Sequence, residues 1–453
     1  MNRKFFNVLV VITISSVIFF SGCEDLVESL ANRLHEPEEL SLEGLDKKLE
    51  EIMDLPYSEL TSEEQKVKLE QESIELLNAL EAASSLQAID IFEYFVELLD
   101  MDEPDVAEPV KEGKAGVWEL FTFDATYSYG VFTWNSSTEK WRKTSSGTEL
   151  KFVFPSNEDA TSNNASLTLN SKNSNSNIVY EDSFTDNEFS EYSYNERFVI
   201  NLPSTVTGIL SVGNKEIAKI EFGAEYEKSD KITVDEGEYI DDYYDETWIR
   251  TIQGSYPVAT KLRISTDEGF VFWYSVDGKG KDSRVEMQLS NKDGVLIESL
   301  FALDIDFKSL VNEASDDIEN LLDLDKTEAN GYIKLLKELV LIYEIDAANL
   351  AKDIDEVESK YENLYNYPKA YYDEIALALN NHMDVVLASI IDEGYIIANI
   401  VYRTISEEYG DYYISPFLKF GDGTEAEMEA YFGSGFSAFE QRWEDFLDAF
   451  NRE

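Results

Sequence analysis

The 453 residues of this chain predict an α+β fold: a large antiparallel β meander, as a curved sheet or sandwich, with N-terminal helices, a helical insertion and a C-terminal helix. Three observations lead there. The spacing of apolar residues changes from helical to period two near residue 117 and returns to helical near 306. The period-two runs are short and separated by tight-turn residues, which leaves no room for helical crossovers and makes parallel pairing unexpected. With 43% hydrophobic and 13% aromatic residues there is core material for more than one domain. The division expected is 1–22 an apolar leader, 23–113 an acidic helical region, 114–305 the antiparallel core, 306–382 the helical insertion, and 383–453 a hairpin plus the closing helix.

Taken in order, TSEEQKVKLEQESIELLNALEAASSL places Val67, Leu69, Ile74, Leu76, Leu77 and Leu80 on a broad helical face, with Ser62 and Gln65 as a capping box. QAIDIFEYFVELLD continues with Ile89, Phe92, Phe95, Val96 and Leu99. Residues 101–116 carry Pro104, Pro109, Gly113 and Gly116 and mark a boundary. Ten β-rich runs follow, from YGVFTWN to VLIESLFAL, punctuated by VGNK, DEG, DGKG and NKDG. Within them, the Asn- and Ser-rich stretch 156–177 reads as long solvated loops around one strand. FKSLVNEASDDIENLLDLD and NGYIKLLKELVLIYEI read as helices, broken at Pro368. DVVLASIIDEGYIIANIVYRTI reads as strands around Asp392-Glu393-Gly394, a buried helix being the alternative. It shares a layout with GILSVGNKEIAKIEF: Ile217, Ala218, Ile220 and Phe222 against Ile397, Ala398, Ile400 and Tyr402, which raises an internal repeat. FLKFGDGTEAEMEAYFGSGFSAFEQRWEDFLDAF reads as a strand, an Asp422-Gly423 turn, a Thr424-capped helix and an amphipathic helix with Phe436, Phe439, Trp443, Phe446, Leu447 and Phe450.

The formal charge of −55 excludes nucleic acid as a partner, because binding it needs a basic footprint. GFSAF at 435–439 lacks the final glycine of a nucleophile elbow, and no histidine follows Ser437. Ser137 and Lys140 match S-x-x-K inside WNSSTEKW, where a hairpin turn is the better reading. Gly278 to Lys281 lacks the leading glycine and following helix of a phosphate loop. The two histidines, His35 and His382, stand far apart in sequence, as surface or capping residues do. DEGEYIDDYYDE offers Asp235, Glu236, Glu238, Asp241, Asp242, Asp245 and Glu246 as calcium ligands. The run matches no EF-hand loop and reads first as a solvated acidic loop, so calcium is the one cofactor considered and none is expected. Trp134, Trp141, Trp248 and Trp273 lie in the β region, where packing is the default role. Their functional alternative is an aromatic sheet face that receives a sugar, an acyl chain or a peptide.

At the N-terminus, Arg3 and Lys4 precede an apolar run from Phe5 to Phe20, which is short for a membrane span, and Ser21, Gly22 and Cys23 follow. The order apolar, small, small, cysteine resembles the lipobox of bacterial lipoproteins, with Phe20 where Leu is usual. That resemblance covers residues 1–23 and implies cleavage before Cys23 and lipidation of its thiol. Since Cys23 is the sole cysteine, lipidation leaves no thiol for a disulfide, nucleophile or zinc site. Glu24 to Glu112 holds 27 acidic against 6 basic residues, so the region next to the anchor is repelled by anionic lipid heads. Glu24 and Asp25 resemble acidic surface-export signals, favouring the outer membrane or cell surface over the inner membrane. The expectation is an anchored extracytoplasmic, cell-envelope protein, not an enzyme, with a binding or structural role toward a glycan, a lipid or an envelope protein. The alternatives are a carrier of apolar ligands in a curved sheet and a carboxylate-dependent glycan hydrolase.

Overall fold

The computed structural model describes residues 42–433 except for 103, 105–109, 116–117, 125–127, 146, 187–192, 229–230, 241–244, 279–281, 305–327, 337, 363, 365–366, 391–393 and 407–410. Within these residues the fold is α+β, with a mostly antiparallel sheet of 19 strands and six helices. Contacts divide the chain at 85/86 and 269/270 into two compact units. These are not the patterning boundaries at 113 and 305. A helix joins the unit whose core its apolar face enters, whatever the local period of the sequence.

The unit of residues 86–269 holds α3 (Gln87–Met101) and ten strands: β1 (Val110–Ala115), β2 (Trp118–Phe123), β3 (Gly130–Asn135), β4 (Lys140–Ser145), β5 (Leu150–Phe154), β6 (Ala165–Asp186), β7 (Tyr194–Val212), β8 (Lys215–Lys228), β9 (Ile232–Ile240) and β10 (Asp245–Thr266). Residues 156–164 are turn and coil and the strand after them begins at Ala165, as expected, but the Asn- and Ser-rich residues 171–177, expected as a loop, continue that strand. β6 runs 22 residues, and its pairing to β7 shifts register between Lys172 and Asn173 and is interrupted between Asn173 and Asn177. Asparagine and serine are poor strand formers, but here side-chain bonds hold them: Asn173 and Asn201 donate to the buried Asp124 carboxylate, and Ser174 donates to the Leu202 carbonyl. Two parallel pairs, β2–β7 and β3–β5, correct the expectation of purely antiparallel pairing. Neither needs a crossover helix, since β4 or longer intervening segments carry the chain back. β6 pairs with β7, β7 with β8, β8 with residues 255–266 of β10, and residues 246–254 of β10 return to β6, closing a hydrogen-bonded ring. The switch falls at Gly254, where a Cβ would lie 2.7 Å from Ile178 Cα. Only glycine permits that approach.

The other unit, residues 42–85 and 270–433 among those described, contains an uninterrupted antiparallel meander in which each strand pairs with the next. Its strands are β11 (Val271–Asp277), β12 (Ser283–Asn291), β13 (Gly294–Leu303), β14 (Glu328–Leu335), β15 (Leu339–Asp346), β16 (Met383–Ser389), β17 (Tyr395–Ser406), β18 (Tyr412–Lys419) and β19 (Glu425–Glu427). NGYIKLLKELVLIYEI is therefore a hairpin, not a helix. Both faces of this hairpin are covered, so it reads as a continuous apolar run that a buried helix would share. On one face α1 (Leu42–Met53) packs Leu45 and Leu49 against Val340, Ile342, Val386 and Ala388. On the other, α2 (Ser62–Ser84) packs Leu69 in a cluster with Leu339, Val385 and Leu387. The helical insertion is thus α4 (Ala347–Tyr361) and α5 (Lys369–His382) among the described residues, and α6 (Met428–Gly433) follows β19. The Asp422-Gly423 turn forms, but Thr424 precedes β19 rather than capping a helix. The amphipathic segment after 433 lies outside the described residues, as does the 306–327 stretch read as helix.

Helix details shift by one residue or one face. The N-cap of α2 is Thr61, whose box partner is Glu64, and Gln65 is instead buried and donates to Ser58. Hydrogen bonds from the Thr61 backbone and hydroxyl hold the Glu64 carboxyl below its ordinary pKa. Val67 and Ile74 are exposed, and α3 buries Ala88, Ile91, Phe95 and Leu98 while Phe92 and Val96 face out.

The shared IAxI layout has a structural counterpart. In the β7–β8 hairpin, Leu210 pairs with Ala218 and the next pair is Ser211 with Glu216, so Ile217 is the extra residue of a bulge. In the β16–β17 hairpin, Leu387 pairs with Ala398 and Ala388 with Ile396, so Ile397 is the extra residue. Bulging at the isoleucine lets Ile-Ala enter the core side by side, and all four residues are buried.

Candidate functional site

Trp134 and Trp141 face each other across the β3–β4 hairpin, with ring centroids 5.2 Å apart. Trp141 meets Phe95 of α3 at 6.0 Å and Phe152 at 5.3 Å, both edge-on, and its indole N–H donates to the Leu98 carbonyl at 3.2 Å. Its backbone N–H donates to Asp102 at the end of α3. Phe154, fully buried, lies 4.9 Å from Phe95. These rings fill the space between helix and sheet. The aromatic face that the sequence offers for recognition is, at Trp134 and Trp141, the core. Trp273 is buried on β11 in the other unit, and Trp248 is half-buried on β10, opposite Phe184 and Gly237. The four tryptophans therefore line no common surface within either unit.

The described residues of the acidic run 235–246 lie in two paired strands, where a solvated loop was expected. Asp235, Glu236 and Glu238 belong to β9, and Asp245 and Glu246 open β10, with Asp235 opposite Arg250. Asp241 and Asp242 lie outside the described residues, as do Cys23 and His35. Among the described residues no group of three or more histidine, cysteine or acidic side chains is arranged to hold a metal ion. Calcium chelation is expected to leave the melting temperature unchanged beyond ionic screening. A calcium-specific rise in a thermal melt, absent with magnesium at equal ionic strength, would establish a site on this run.

His382 ends α5 and contacts Asp353 of α4 at 2.8 Å through Nε2, with Asp346 at 4.0 Å from Nδ1. It joins the two helices. Asp346 is itself the N-cap of α4, and bonds from Asn349 hold its carboxyl below its ordinary pKa. Residues 136–139 form the expected β3–β4 turn.

Two features were not legible as sites. YNYPKAYY, read only as a helix break, sets Tyr367 on the surface, stacked on Tyr371 with centroids 4.2 Å apart. Tyr361 and Tyr372 meet Tyr371 edge-on at 5.6 and 5.1 Å. Tyr361 donates to Glu374 at 3.0 Å, and Lys360 pairs with the same carboxylate. The density of tyrosine in eight residues was the available signal. A recess of about 290 Å³ lies beside α5, lined by Leu377, Asn380, Met383, Asp384, Asn399 and Arg403. Three of its polar groups are already engaged: Asn380 bridges Ala376 and Tyr402, Arg403 binds Glu425, and Asn399 accepts from Tyr57.

Glu72 of α2 and Glu338 of the β14–β15 turn are neighbouring carboxylates. Lys68 Nζ lies 3.9 Å from Glu72 and 3.5 Å from Glu338, and donates to the Tyr395 hydroxyl at 2.9 Å. Both Glu72 oxygens are sealed from solvent. A glycosidase pair stands about 5 to 10 Å apart across an open cleft, with room for sugar and water. This one does not. No protein-family model, curated protein or solved structure matches the chain.

Proposed function

We propose that the protein is a lipid-anchored extracytoplasmic component of a cell envelope with a non-catalytic role, architectural or in binding. The observation that carries the non-catalytic reading is the aromatic core of residues 86–269, in which Trp134, Trp141, Phe95, Phe152 and Phe154 interlock. A carrier of apolar ligands needs that interior space empty, and a recognition surface needs those rings exposed. The sealed Glu72 carboxyl weighs against hydrolysis in the same way. Binding, where it occurs, then uses outer surfaces, of which the Tyr361–Tyr367–Tyr371 stack is the most aromatic in the helical insertion.

Anchoring rests on the Ser21-Gly22-Cys23 pattern. Two or three acyl chains, at about 0.8 kcal/mol per buried methylene, exceed what stable membrane attachment requires. Cys23→Ser is expected to release the protein from detergent-dependent extraction, since the acidic chain has no electrostatic attraction to anionic lipid. Fractionation of the variant wholly with membranes would overturn the anchor. Incubation with a panel of glycans is expected to release no product, and turnover abolished by a single Asp or Glu substitution would overturn the non-catalytic role.

A further inference from the structure

The inward face of α2 alternates between apolar and polar groups. Leu69, Leu76 and Leu80 are buried, yet Gln65, Lys68 and Glu72 share that side of the helix. The Glu72 side chain is only 10% exposed, and neither oxygen accepts a hydrogen bond. The charged and titratable groups around it are Lys68 and Glu75 on its own helix, Glu338 on the β14–β15 turn, and Tyr395 of β17, which accepts from Lys68. Two carboxyl groups thus share one ammonium, and of the three side chains Glu72 is the buried one, while Lys68 and Glu338 stay partly exposed. Leucine at position 72 would avoid the conflict, as it does at 69, 76 and 80.

We propose that Glu72 and Glu338 form a proton-gated latch that holds α2 on the sheet while Glu72 is protonated and loosens it when Glu72 ionises. Burial first, and the Glu338 charge second, push the Glu72 carboxyl up to about 7 from its ordinary 4.5. Docked helix therefore binds the proton more tightly than undocked helix. Docking is strongest below about pH 4.5, weakens as pH rises through about 7, and is level above that. Release would uncover Leu69 and its partners Val385, Ile397 and Leu418. The latch is independent of the anchor and of any ligand.

Hydrogen exchange of the full mature protein, corrected for the intrinsic pH dependence, tests it. Protection of α2 amides is expected to fall roughly 10- to 100-fold between pH 5.5 and 8.5, while α3, in the other unit, stays level. Glu72→Gln should abolish that fall. Glu338→Gln, which removes the neighbouring negative charge and keeps Glu72 titratable, should move its midpoint to lower pH, and it serves as the test if Glu72→Gln does not fold. Unchanged α2 protection across the range, or an undiminished fall in Glu72→Gln, would overturn the latch. So would a midpoint that Glu338→Gln leaves in place.

Discussion

Phe154→Ala is expected to lower the stability of the unit of residues 86–269 by about 3 to 5 kcal/mol, the range for removing a fully buried aromatic ring. Phe154 is 0% exposed and meets Phe95 and Trp141, so its loss opens a void bounded by stiff rings on α3 and β4. Neighbours held by a helix on one side and a hairpin on the other cannot collapse into it. Phe92→Ala on the outward face of α3, where the side chain is 43% exposed, is expected to cost no more than about 1 kcal/mol. Urea unfolding followed by near-ultraviolet circular dichroism separates the two, because Trp134 and Trp141 report the packing directly. A cost below about 1 kcal/mol for Phe154→Ala would show that these rings are not the core of the unit.

What the sequence made legible was alternation, and what it hid was the second covered face. In α3 the helical period was plain, yet the inward arc could not be chosen between Phe92–Val96 and Ile91–Phe95–Leu98, since both are apolar. The hairpin β14–β15 failed in a related way: both faces are covered, so no polar alternation survived to distinguish strand from helix. β6 failed for the opposite reason, because the bonds that make Asn173 and Ser174 acceptable in a strand come from Asp124 and Leu202, distant in sequence. The bulges at Ile217 and Ile397 were visible as a repeated Ile-Ala, without the register that gives the pattern meaning. Glu72 was one acid among 92, and only Lys68, Glu338 and Tyr395, brought together from three elements, distinguish it.

Gly331→Ala is expected to destabilise the meander unit by about 3 kcal/mol or more, at the upper end for a single added methyl group, because the neighbours that it meets cannot yield. Gly331 of β14 stands opposite Phe301 on β13 and Tyr343 on β15. Tyr343 reaches across the glycine to donate to the Leu300 carbonyl at 3.3 Å, and burial pushes its phenol pKa up. An added Cβ would collide with the Leu300 carbonyl oxygen and the Tyr343 hydroxyl and lie 2.7 Å from Tyr343 Cζ. The ring could be displaced only by leaving its hydroxyl without a partner in the core, and the carbonyl only by breaking the β13–β14 pairing. The two collisions can be told apart. Tyr343→Phe alone should cost about 1 kcal/mol, the net worth of one buried hydrogen bond. Gly331→Ala combined with Tyr343→Ala should remain clearly less stable than Tyr343→Ala alone, since the backbone collision persists. Chemical denaturation of the four proteins decides it: equal stability of the double variant and Tyr343→Ala would mean that the side chain, not the strand pairing, requires glycine at 331.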